Sequence, residues 1–158
     1  MKKIVLSLVI IIAIALIPQT QASATEQYIG YCEEIGAKYC ISPELLQAII
    51  EHESTYNPNA TNGKCKGLMQ IYEKYHTDRM NRLGVTDIYD PYSNILVGAD
   101  IINELHMKYG DDVYLVLMEY NGVSNAYSKW ERGEINEYAK RVVNRAYELE
   151  SVNGKHEY

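Results

Sequence analysis

"SPELLQAIIEHESTYNP", Ser42 to Pro58, decides what kind of chain this is. Ser42 is a good helix N-cap, and Pro43 suits the first helical turn, where its missing N–H costs nothing. Leu45, Leu46, Ala48, Ile49 and Ile50 then recur at helical period and form one broad apolar face. Pro58 disfavours a helical residue before it, so the helix must end ahead of Asn57. Three ionisable residues crowd its last part: Glu51, His52 and Glu53. At about 100° per residue, Glu51 falls on the side of Glu44 and Gln47, the expected wet face. Glu53 falls in the middle of the apolar face. A carboxyl group there is partly desolvated, which disfavours its charged form and raises its pKa. A glutamate that keeps its proton near neutral pH can act as a general acid.

His52-Glu53 could also open a zinc-protease motif, His-Glu-x-x-His, in which two imidazoles share a helix face. The fourth residue after His52 is Tyr56, and His76, His106 and His156 supply no ligand spacing. No metal and no cofactor are expected.

Working outward, the chain reads as a succession of helices with little strand signal. Tyr28, Cys32, Ile35 and Tyr39 mark a first helix, weakened by Gly30 and Gly36. Asn57 to Gly67 is turn chemistry, with Asn-Pro and then Asn62-Gly63. Tyr72 to Leu83 is a short helix stopped by Gly84. Asp90 and Pro91 open a long one with Ile95, Leu96, Ala99, Ile102, Leu105 and Tyr109 along its inner side, closed by Gly110. Val113 to Tyr120 is almost wholly apolar and predicts a buried central helix, stopped by Asn121-Gly122. A last helix runs from Ile135 to about Leu149. The fold class is mainly α, a single domain over residues 25–150 with a loose tail at 151–158.

The first residues set the compartment. Lys2 and Lys3 precede an apolar run, Ile4 to Ile17, broken only by Ser7. Pro18 and Ala22-Ser23-Ala24 follow, the pattern of a secretory signal peptide over residues 1–24. The run falls short of the roughly 20 residues that span a bilayer. Cleavage after Ala24 is expected, with an uncleaved anchor as the alternative and the only route to a membrane. Losing the two lysines takes the net charge from −6 to about −8, which suits no phosphate backbone, so nucleic acid is not an expected partner. Cys32 and Cys40 stand eight apart in a helix, about 12 Å by helical rise, beyond the ~7 Å reach of a disulfide. Either Cys65 bridges to one of them or all three stay reduced.

Glu53-Ser54, Asn57-Pro58, Gly67-Leu68-Met69-Gln70, Tyr120-Asn121 and Tyr138-Ala139 follow one another in an order that resembles the soluble lytic transglycosylase (SLT domain) family. The resemblance covers about Ile41 to Glu148. It implies a lysozyme-like fold and cleavage of bacterial cell-wall peptidoglycan. By it, Glu53 is the catalytic acid and then base. Ser54, Gln70 and Tyr120 order the sugar and its acetamido group, and Met69 forms an apolar floor near Glu53. Asn121 holds the turn under Tyr120, and Tyr138 faces the cleft, although its helical spacing explains it equally well as core. The implied partner is the peptidoglycan glycan strand, met by a secreted, cell-wall-associated monomer. The product would be a 1,6-anhydro sugar, formed by attack of the sugar's own 6-hydroxyl, which explains why one carboxylate suffices where ordinary glycosidases need two.

One position departs from the pattern: the family often has a small residue before Tyr-Asn, and here stands Glu119. A second carboxylate in the cleft would make hydrolysis feasible. A buried unpaired charge is costly, so Glu119 is expected to point away. Two other readings stand beside the lyase: a water-using muramidase on the same fold, and a non-catalytic wall-binding accessory protein. The 15 tyrosines, against no phenylalanine, supply flat rings with polar edges that suit sugars.

Overall fold

The apolar stripes of the sequence become the contact surfaces between helices. A computed structural model describes residues 22–154 as helices joined by short turns and one longer loop. The helices are α1 (22–39), α2 (Pro43–Ser54), α3 (Glu73–Leu83), α4 (Pro91–Tyr109), α5 (Val113–Tyr120), α6 (Ala126–Glu131) and α7 (Glu137–Val152). α5, apolar on every side, is the central helix and packs against α4, α6 and α7. α2 lies along α7. Ile35, Leu46, Ile49, Ile95, Ile102, Leu115 and Leu117 fill the core between them.

The helix ends follow the predicted chemistry. Ser42 Oγ accepts from the Leu45 amide at 3.3 Å, and Asp90 and Asp112 cap α4 and α5 in the same way. α2 closes on Thr55, which is left-handed (φ 51°), so the chain swings away just past Glu53. No strand forms among the described residues. Two isolated antiparallel bridges, Thr61 with Lys66 and Lys66 with Ile71, fold the loop between α2 and α3.

α3 is moored to the body by charge. Asp100 of α4 is buried and takes Arg79 and Arg82 of α3 together with the Tyr39 hydroxyl of α1. Burial alone would raise the Asp100 pKa. The Arg82 and Tyr39 hydrogen bonds and both arginine charges outweigh it and hold the carboxyl below its ordinary value.

The structure adds to or departs from the sequence reading at four points. The supposed wet face of α2 is covered, with Glu44 2% and Gln47 4% exposed. The cause is α7, whose end supplies partners there: Asn153 Nδ2 donates to Glu44 at 2.9 Å, and Arg145 pairs with Glu51 at 2.9 Å. α7 runs through Val152, beyond the expected Leu149, and its last turn is held by Ser42, which donates to Glu150, and by Asn153, which donates to Glu44. α6 had no counterpart in the sequence reading; six residues are too few to show a period. No bridge joins the cysteines: Cys32 is buried in the core, Cys40 is exposed at the end of α1, and Cys65 sits in the loop. The expected leader lies outside the described residues except for 22–24, which are helical. No described helix is long and apolar enough to cross a membrane.

Candidate active site

The loop between α2 and α3 is built around a single buried amide. Asn94 of α4 is 0% exposed. Its Oδ1 accepts from the Met69 amide at 2.8 Å, and its Nδ2 donates to the carbonyls of Ile88 (2.7 Å) and Lys66 (3.0 Å). Gly67 makes this approach possible. It is left-handed (φ +78°), and a Cβ there would lie 2.2 Å from Asn94 Nδ2. Lys66 and Ile71 exchange main-chain bonds at 3.0 and 2.9 Å, closing the turn that carries Gly67, Leu68, Met69 and Gln70.

This turn meets α5. The Tyr120 hydroxyl donates to the Met69 carbonyl at 2.8 Å. Gln70, itself left-handed (φ 50°), donates from Nε2 to the carbonyls of Gly67 (3.0 Å) and Ala60 (3.1 Å), which holds its amide in place. Asn121 Oδ1 accepts from Asn136 Nδ2 at 3.2 Å, tying the turn after α5 to the start of α7.

A cleft of about 590 Å³ opens where these segments converge. Glu53, Gln70, Tyr120 and Asn121 line it, together with Cys65 from the loop and Tyr72, Tyr75 and His76 from the start of α3. Glu53 is the one carboxylate among the lining residues. Burial raises its pKa, and the neighbouring Tyr138 hydroxyl offsets only part of that rise. The Tyr138 oxygen is buried and completes no hydrogen bond of ordinary geometry. The Tyr120 hydroxyl is pushed well above its usual range by burial, and then by the charges of Glu53 and Cys65. The site is therefore a partly dry pocket with a protonatable carboxyl beside two phenols. Such an arrangement can hand a proton to a leaving oxygen and take one back.

Of the seven residues singled out in the sequence, four come together on the lining: Glu53, Gln70, Tyr120 and Asn121. Three do not line it. Ser54 turns its hydroxyl back onto the Ile50 carbonyl at 3.0 Å. Met69 is fully buried, its thioether against Gly98 of α4, and reaches the site through its carbonyl alone. Tyr138 is a core residue whose ring lies 4.9 Å from that of His52. Glu119 is not on the lining either; it lies within the field of Lys108 at the end of α4. The sequence reading missed Asn94, a lone amide beside the apolar stripe of α4, and also missed the Tyr72–His76 turn. An uncompensated amide next to Ile95 and Leu96 was the available signal for the first, and two tyrosines three apart directly after Gln70-Ile71 for the second.

The family model described as the transglycosylase SLT domain matches residues 30–143. A transglycosylase of Enterobacteria phage PRD1 is 38% identical over 97 residues, covering 59% of this chain and 35% of the phage protein. A putative soluble lytic murein transglycosylase of Haemophilus influenzae is 35% identical over 96 residues, 57% of this chain and 16% of that protein. The chain thus spans about a third or less of these two relatives. Invasion protein IagB of Salmonella typhimurium is 29% identical over 124 residues, 73% of this chain and 74% of IagB. Among solved structures, an inactive mutant of lytic transglycosylase Slt from Pseudomonas aeruginosa superposes with a TM-score of 0.68 at 16% identity. The match covers 79% of this chain and 24% of that one. That likeness shows the fold, which is lysozyme-like and helical.

Proposed function

Because the chain belongs to the transglycosylase SLT domain family, we propose that it is a lytic transglycosylase that cuts peptidoglycan glycan strands between N-acetylmuramic acid and N-acetylglucosamine. Glu53 protonates the bridging oxygen, and the C1–O bond breaks. The 6-hydroxyl of the muramic residue then bonds to C1 and returns its proton to Glu53. The products are a 1,6-anhydromuramic end and a free N-acetylglucosamine 4-hydroxyl, and no water is consumed. Gln70, Tyr120 and Asn121 hold the sugar and its acetamido group. Met69 and Tyr138 back the site from the core, and Ser54 secures the end of α2. The leader at residues 1–24 exports the chain to the wall, where it acts as a monomer.

One observation carries this reading: the cleft presents a single carboxylate, and burial raises its pKa. Two-carboxylate glycosidases place their second acid within about 5–10 Å of the first, and neither Glu51 nor Glu119, the residue before Tyr120, is on the lining. Mass spectrometry of digested wall tests the chemistry. Ends lighter by one water than reducing muramic ends support the lyase, and reducing ends mean hydrolysis. Zymography with Glu53→Gln tests the residue: clearing equal to wild type removes Glu53 from the mechanism, and absence of clearing by either protein favours a binding role.

A further inference from the structure

Three of the residues on the cleft lining, Tyr72, Tyr75 and His76, belong to one turn that the proposed chemistry leaves unused. The Tyr75 amide donates to the Tyr72 carbonyl at 3.0 Å, which closes the turn. The two rings lie 4.5 Å apart at 59°. α3 is kinked here, since His76 (φ −118°, ψ 15°) leaves helical geometry inside the helix. The kink separates the tyrosine turn from the rest of α3, which the Arg79 and Arg82 pairs with Asp100 fix to α4. The turn is thus a projection on a moored base. Tyr75 is 75% exposed. A ring so exposed adds little to folding, yet this one is part of the same cleft as Glu53. On that lining Glu53 ends α2 and Tyr120 ends α5, whereas the turn opens α3, so a separate element builds this part of the cleft.

A pyranose offers C–H bonds on its faces and hydroxyls at its rim. An aromatic ring offers a complementary negative face, and a tyrosine adds a polar edge. His76, whose pKa burial and then Arg79 lower, is neutral at neutral pH and able both to donate and to accept beside them. We propose that the Tyr72–Tyr75–His76 turn is a stacking subsite for an N-acetylhexosamine of the glycan strand outside the pair being cleaved, and that it sets the strand length the enzyme prefers. The assignment rests on the glycan-strand reading for its ligand, but not on how the bond is broken.

The test uses the full chain as wild type, Tyr75→Ala and Tyr75→Phe on glycan strands of about four and about eight sugars. On long strands, Tyr75→Ala should raise KM about five- to tenfold, the range expected for one lost aromatic contact. Its kcat should stay within about twofold, and it should match wild type on short strands. Tyr75→Phe, which keeps the ring, should restore the wild-type KM. Thermal melting checks that the alanine protein is folded. Equal KM for wild type and Tyr75→Ala on long strands overturns the subsite. Should wild type release no product from any strand, the functional reading fails separately and binding alone decides. An N-acetylglucosamine octamer would then be titrated against tyrosine ring signals. Binding that is about fivefold weaker in Tyr75→Ala upholds the subsite, and equal or absent binding overturns it.

Discussion

Asn94→Ala is the substitution that tests the architecture of the site most directly. The side chain is fully buried and makes three hydrogen bonds, to the Met69 amide and to the Lys66 and Ile88 carbonyls. Their losses are unequal. The Lys66 carbonyl keeps the Ile71 amide as a partner at 2.9 Å, so that loss costs about 1 kcal/mol. The Met69 amide and the Ile88 carbonyl lose the partner that Asn94 supplies, at about 1–3 kcal/mol each. The sum is about 5 kcal/mol, a large share of the roughly 5–15 kcal/mol that holds a domain folded. Urea unfolding followed by circular dichroism would show it as a lower midpoint at constant m, and a melt would shift down by about 10–20 °C. The variant should also lose activity at temperatures where it is still folded, since Gln70 and the Tyr120 tie depend on the turn. A loss of stability below about 1 kcal/mol at unchanged m would refute the view that this amide organises the loop.

Other substitutions probe separate parts. Glu53→Gln should stabilise the fold at neutral pH. A raised folded pKa means that the ionised carboxyl costs stability above that value and costs nothing below the ordinary 4.5. The gap in melting temperature between the two proteins should therefore close as pH falls, and a gap independent of pH would contradict burial as the cause. For the same reason, wild-type activity should decline as pH rises through the folded pKa of Glu53. Tyr120→Phe removes the 2.8 Å bond to the Met69 carbonyl and should cost about 1 kcal/mol in urea unfolding together with a fall in kcat. Asp100→Asn should cost about 3 kcal/mol at neutral pH by leaving Arg79 and Arg82 short of charge. Because the Asp100 pKa is depressed, that deficit should shrink only as pH falls below the ordinary 3.8.

α2 was legible in the sequence because its signals are local: a cap, a proline, one apolar face and a terminating Asn-Pro. The same wheel failed at Glu44 and Gln47, because polarity reports what a side chain can tolerate and not what lies against it. Tertiary neighbours bury them, among them Asn153 at the end of α7, which donates to Glu44. α4 and α5 were read from long apolar runs, whereas α6 is too short to carry a period. In the site, Glu53 was reached by rotation along one helix. Gln70, Tyr120 and Asn121 came from resemblance, since nothing local joins residues that far apart. Asn94 and the Tyr72–His76 turn depend on how α4 and α3 meet the loop, and that is tertiary information. Of the two cysteine readings the reduced one holds: spacing can exclude a pair, but it cannot say whether Cys65 meets buried Cys32 or exposed Cys40.

The bonds from Tyr120 and Asn94 to position 69 both end on main-chain atoms, its carbonyl oxygen and its amide nitrogen. Every amino acid except proline supplies that pair. The pose of the loop is therefore set by the main chain at 69, while the side chain, fully buried against Gly98, is restricted to an apolar group of similar size. Proline, lacking the N–H, would release the turn from its Asn94 support whatever its side chain packed against.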